Sequence, residues 1–210
     1  MARSLINLDL ENMLSKLDSF SDKKDFENPL TKTNYNSRDD LLENVRSDEY
    51  KIMLLDNSWS KRYAKIPYVL TPEIANVTKR ATSNCTEKLE KARGIYDWIC
   101  KNINYGSRKR RSKGYRNSIE TFDDGEGVCG EMAFLYITMA RYVGLRSSYA
   151  IVDIDHNNSR VNHACAAIDV PSRNSKITLV DPAYKVFDAN HREIIILEDF
   201  DMFKIIKDWE

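Results

Sequence analysis

Apolar side chains recur every three or four positions through most of the first two thirds of the chain and every second position in the last third, which predicts helices followed by strands. Leu10, Met13, Leu14 and Leu17 follow helical spacing, and Ser37 with Asp40 forms a capping-box pattern ahead of Leu41, Leu42 and Val45. Thr71, Pro72 and Glu73 read as an N-cap, a first-turn proline and an early acid, opening a helix that carries Ile74, Val77 and Ala81. Thr86 opens another, with Leu89, Ala92, Tyr96, Ile99 and Ile103 on one face, closing before Gly106. Residues 106–118 read as a loop. A buried helix then begins at Cys129, runs through Met132, Ala133, Tyr136, Ile137, Ala140 and Val143, and ends at Gly144.

Beyond Gly144, β-branched residues separated by Asn, Ser and Pro turns predict strands over 148–154, 163–170, 177–180 and 194–197, with a short amphipathic helix over 199–209. Helices that precede strands, instead of alternating with them, specify an α+β fold in which helices pack on an antiparallel sheet. Two regions are expected: an N-terminal helical or irregular extension over 1–69 and the α+β domain over 70–210.

The 210 residues include 32 basic and 32 acidic ones, so the chain as a whole has no field to gather nucleic acid or an anionic membrane. Asp9, Glu11, Lys16 and Asp18 interrupt the apolar residues near the N-terminus, and no stretch has the roughly 18 apolar residues a membrane span requires. A cytoplasmic protein with reduced thiols at Cys85, Cys100, Cys129 and Cys165 is the expectation. With no C-x-x-C pair, neither a metal nor an organic cofactor is implied.

Cys129 is the candidate nucleophile, because a thiol in the first turn of a helix is helped towards the thiolate by the helix dipole and by free backbone N–H groups. A lone cysteine is more often a small buried hydrophobe, so the case depends on a base. His156 and His191 fall in turn-like sequence, where exposure is ordinary, whereas His163 opens a strand. Folding the hairpin about Ser172 pairs positions whose numbers total 344, which sets His163 opposite Asp181. A nucleophile, a base and an orienting carboxylate are the parts that acyl transfer needs. Asp181 before Pro182 also suits a strand-ending turn.

The run Arg108, Lys109, Arg110, Arg111, Lys113 and Arg116 is the main charge feature, read as a solvated loop or as an anion-attracting lip beside the Cys129 helix. It is the only candidate patch for nucleic acid, which is not an expected partner.

The segments Gly127-Val128-Cys129-Gly130-Glu131-Met132-Ala133, Arg141-Tyr142-Val143-Gly144-Leu145, Asn162-His163-Ala164 and Val180-Asp181-Pro182, in that order, resemble the signature segments of the transglutaminase-like superfamily. The stretch from Ala92 to Tyr105 is similar to the helix that precedes them. The resemblance implies a papain-related α+β core with Cys129, His163 and Asp181 as a triad acting on protein or peptide amides through a thioester. It departs from the family at Cys165 and around 177–179, where tryptophans are common. Hydrolysis is preferred over transfer to an amine, and a non-catalytic binding module is the other class of reading. The backbone N–H of Cys129 and a side chain from Asn104 or Tyr105 are the oxyanion-donor candidates.

Overall fold

The computed structural model describes residues 53–54, 67–106, 115–172, 175–197, 199 and 202. The helices expected around residues 10–17 and 37–45, most of the basic run and most of the helix over 199–209 lie outside them.

A parallel two-strand pair, β1 (Met53–Leu54) with β2 (Val69–Leu70), leads into the helical layer. Helix α1 (Pro72–Ala81) starts where Thr71 Oγ1 accepts from the Ile74 N–H at 3.3 Å, with proline in the first turn, and buries Ile74, Ala75 and Thr78. Helix α2 (Lys88–Asn102) is capped at Glu87 instead of Thr86. The Glu90 carboxylate accepts from the backbone N–H groups of both Thr86 and Glu87, so the first turn begins one residue later than the sequence suggests. Strand β3 (Asn104–Tyr105) follows and pairs in parallel with β4 (Glu126–Gly127).

Helix α3 (Ser118–Asp124) falls where a loop was expected to end. Asn117 Oδ1 accepts from the Glu120 N–H while the Glu120 carboxylate accepts from the Asn117 N–H, each at 3.0 Å, and this reciprocal cap holds a helix of two turns. Helix α4 (Cys129–Tyr142) is buried on nearly all sides. At its end the Gly144 N–H reaches Arg141 O and the Leu145 N–H reaches Ala140 O, both at 3.0 Å, a Schellman closure whose C′ residue needs the positive φ of Gly144, 79°.

Five antiparallel strands form the sheet, in the order β8-β7-β6-β5-β9: β5 (Ser147–Ile154), β6 (Arg160–Ile168), β7 (Thr178–Asp181), β8 (Val186–Phe187) and β9 (Glu193–Leu197). One set of alternating positions, including Tyr149, Ala164, Ala166, Ile168 and Val180, joins the main core with α2 and α4. The other, Ala150, Val152, Cys165, Ala167 and Leu179, forms a second small cluster. The helix-on-antiparallel-sheet architecture expected from the sequence is the one observed. Among the described residues no helix is long and apolar enough to cross a membrane.

Candidate active site

The site forms where the first turn of α4, the start of β6 and the end of β7 converge. Cys129 opens α4 after Val128, whose N–H donates to Glu131 Oε2 at 3.0 Å, so the helix folds a carboxylate back over its own start. Arg116 is buried against this turn. Its backbone N–H donates to Glu131 Oε1, and its guanidinium reaches Glu131 Oε2 at 3.4 Å, Asp124 Oδ2 at 3.0 Å and Glu126 Oε1 at 3.3 Å. Arg116 therefore does not belong to an exposed basic lip, because three carboxylates draw it inward. Residues 108–113 lie outside the described residues.

Register is the second correction. Ala166 pairs with Val180, Ala167 with Leu179 and Ile168 with Thr178, so the paired numbers total 346 instead of 344. His163 does not sit directly opposite Asp181. The slip is even, so both residues keep the same alternation, and they meet on the diagonal: His163 Nε2 stands 2.7 Å from Asp181 Oδ2. With Nε2 on the carboxylate, Nδ1 is the nitrogen left for Cys129, which lies near enough to raise the imidazole pKa. Cys129 is half-buried and reachable, while His163 and Asp181 are buried. The structure thus brings all three candidate residues together.

Burial alone would depress the His163 pKa. The hydrogen bonds to Asp181 and Cys129, and the charges of both, outweigh it and carry the imidazole up to about 9. Burial pushes the Asp181 carboxyl up, but the bonds from His163 and His191 and the Tyr184 backbone N–H bring it below its ordinary value. The other thiols differ. Burial raises Cys100 and, far more, Cys165, and all four cysteines are free.

Two residues escaped the sequence reading. Tyr184 lies face to face with His163, centroids 4.1 Å apart and planes 10° from parallel, and its backbone N–H donates to Asp181 Oδ1 at 3.0 Å. This bond also makes Asp181 the strand-ending turn residue that its sequence suggested. His191, expected to be an exposed turn histidine, is buried with Nε2 3.0 Å from Asp181 Oδ2. Its only signal was proximity to β9, which returns the chain along the sheet. His156 is half-buried, with its ring 5.5 Å from that of His191.

His163, Asp181 and His191 offer three donor atoms within 4.8 Å of one another, a spacing a divalent cation can span. Both Nε2 atoms already meet Asp181 Oδ2, however, so hydrogen bonds account for the cluster without an ion. The 63% exposed Tyr105 pairs with Gly127, two residues before Cys129. Burial raises its phenol, and the charges of Cys129 and Asp181 raise it further, which places its side chain within their field.

No curated protein matches the chain. Solved structures of low similarity include a candidate cysteine protease from Cytophaga hutchinsonii, with 15% identity over 81% of this chain and 54% of that one and a TM-score of 0.46. A candidate protease from Parabacteroides distasonis shares 16% identity over 60% of this chain and 28% of that one, with a TM-score of 0.38. LapG of Legionella pneumophila shares 13% over 65% of this chain and 96% of that one, with a TM-score of 0.39. The chain therefore spans about half the length of the first of these and less than a third of the second. Residues 75–177, which hold Cys129 and His163, match the model of the transglutaminase-like superfamily, the family whose signature segments the sequence resembles.

Proposed function

We propose that this chain is a cysteine-dependent enzyme that cleaves amide bonds in proteins or peptides through a thioester, with Cys129 as nucleophile, His163 as base and acid, and Asp181 as the residue that orients His163. The observation that carries this reading is the His163 imidazole held by Asp181 Oδ2 at Nε2, 2.7 Å away, which leaves Nδ1 as the nitrogen that can serve Cys129, whose charge acts on the ring.

In this mechanism the Cys129 proton moves to His163 Nδ1, and the thiolate attacks the carbonyl carbon. The oxyanion that forms is met by the backbone N–H of Cys129, one of the first-turn donors without a partner inside the helix. The Tyr105 phenol is the better second donor of the two foreseen, since its pKa responds to the Cys129 charge. The C–N bond breaks as His163 returns its proton to the leaving amine. Water then attacks the thioester, gives a proton to His163, and releases a carboxylic acid and the thiol.

Water is the proposed acceptor because it is always at hand to a partly exposed thiol and needs no binding surface of its own. A peptide library incubated with wild type and with Cys129→Ala, followed by mass spectrometry, tests both steps. An acyl adduct on Cys129 and hydrolysed products, absent from the variant, are expected. Amine-linked products would replace hydrolysis by transamidation, and the absence of any adduct would favour a binding module.

A further inference from the structure

Asp181 holds two histidines on one oxygen. His163 Nε2 lies 2.7 Å and His191 Nε2 3.0 Å from Oδ2, while Oδ1 accepts from the Tyr184 N–H at 3.0 Å. A carboxylate oxygen only accepts, so each ring must present an N–H to it. The side chains of His191 and Asp181 are fully buried, so water cannot replace either bond. His191 Nδ1 has no hydrogen-bond partner, which leaves Asp181 as the polar contact that holds this ring among the described residues.

We infer that His191 is a positioning residue for the proposed reaction: its N–H on Asp181 Oδ2 fixes the carboxylate and draws off part of the negative charge that would otherwise act on His163 alone. This rests on the proposed function and deepens it.

The first effect is geometric. Oδ1 is held from the turn after β7 and Oδ2 from the segment entering β9, so the carboxylate plane cannot rotate. His163 then keeps Nε2 on Asp181 and Nδ1 towards Cys129, the orientation that proton transfer requires. The second effect is electrostatic. A donor that stabilises the carboxylate weakens its hold on the imidazolium opposite, and in a buried site no solvent screens the difference. His163 is thereby kept less basic than a lone carboxylate would make it, closer to the range in which a base both accepts and returns a proton. The ionisable groups facing His191 are Asp181 from β7, His163 from β6, Tyr184 from the following turn, and His156 and Asp155 from the β5–β6 loop.

The test is an NMR titration of the His163 imidazole in the full chain, as wild type, His191→Gln and His191→Leu. Glutamine restores an N–H donor near the lost Nε2, and leucine fills the space without one. The leucine variant should raise the His163 midpoint by about half a unit to one unit, and glutamine should return most of that shift. An unchanged midpoint in a folded leucine variant would overturn the role of His191. If leucine prevents folding, His191→Asn, whose amide is too short to reach Oδ2, carries the same expectation and the same refutation. Thiol reactivity reports separately on the enzyme reading. Unselective labelling of the cysteines alongside a His163 midpoint that responds to His191 would sink the enzyme reading, and with it the positioning role, and leave only the coupling of His191 to His163 through Asp181.

Discussion

Asp181 and His163 lie two positions out of cross-strand register and still meet at 2.7 Å, because the slip in the hairpin is even and leaves both side chains in the same alternation. An odd slip would have turned one of them away.

That bond makes a pH prediction. His163 in the folded chain stands near 9 against an ordinary value of 6.5, so its contribution to stability is complete below 6.5 and is lost as pH climbs through about 9. Activity should fall over the same upper range, as the imidazolium that protonates the leaving amine disappears. Asp181→Asn should move that limb to lower pH and reduce kcat by about three to four orders of magnitude, by loss of the tautomer and orientation. A pH–rate profile of the two proteins checks both statements. Asp181 acts in the opposite direction: its lowered value stabilises the fold above the ordinary 3.8, and the gain is lost as pH falls through the folded-state value.

Thiol reactivity should single out one cysteine. Cys165 is fully buried and Cys100 is raised by burial, whereas Cys129 is half-exposed beside an imidazole. Brief alkylation at pH 6 followed by peptide mapping should find Cys129 modified at least about tenfold faster than Cys100 or Cys165. Equal, slow labelling would count against the proposed nucleophile.

Tyr184 covers the face of His163 from solvent. Tyr184→Ala should lower stability by about 1 kcal/mol through loss of the stacked pair and should reduce activity, while Tyr184→Phe keeps the ring and should stay near wild type. Denaturant midpoints and turnover, measured together on both variants, separate the ring from its hydroxyl.

Glu131 is 1% exposed and relies on Arg116 for its countercharge. Arg116→Met leaves a buried carboxylate with its two backbone N–H donors but no countercharge and should cost about 3–5 kcal/mol, whereas Arg116→Met with Glu131→Leu should cost much less than the two single changes added together. A double-mutant cycle by urea unfolding reads the difference.

Gly130 tolerates no side chain. A Cβ there would lie 2.6 Å from Tyr149 Oη and 3.2 Å from Tyr115 Cε1, and the Tyr149 ring is buried and cannot step aside. Gly130→Ala should destabilise by about 1–3 kcal/mol and displace the start of α4, visible as a lower thermal midpoint and slower Cys129 labelling.

The sequence carries the α+β order, the helix that begins at Cys129 and the shared alternation of His163 and Asp181, because each rests on local periodicity or on caps such as Thr71 and Gly144. Helix α3 was missed although its signal was present: Asn117 and Glu120 are a capping box set inside a polar stretch that reads as loop. Arg116 was grouped with its basic neighbours because a charge run does not reveal which member meets buried carboxylates. His191 was misread for a related reason. Its turn-like flanks are real, but the return of β9 along β5 is a long-range event that folds this turn under the sheet end, onto Asp181.

The inward turn of Arg116 also bears on how the protein breathes. One guanidinium ties the end of α3, strand β4 and the first turn of α4 together. Amide hydrogens at Thr121 and Val128 should then exchange as a single cooperative unit, so the segment bearing Cys129 opens only when its neighbours open with it.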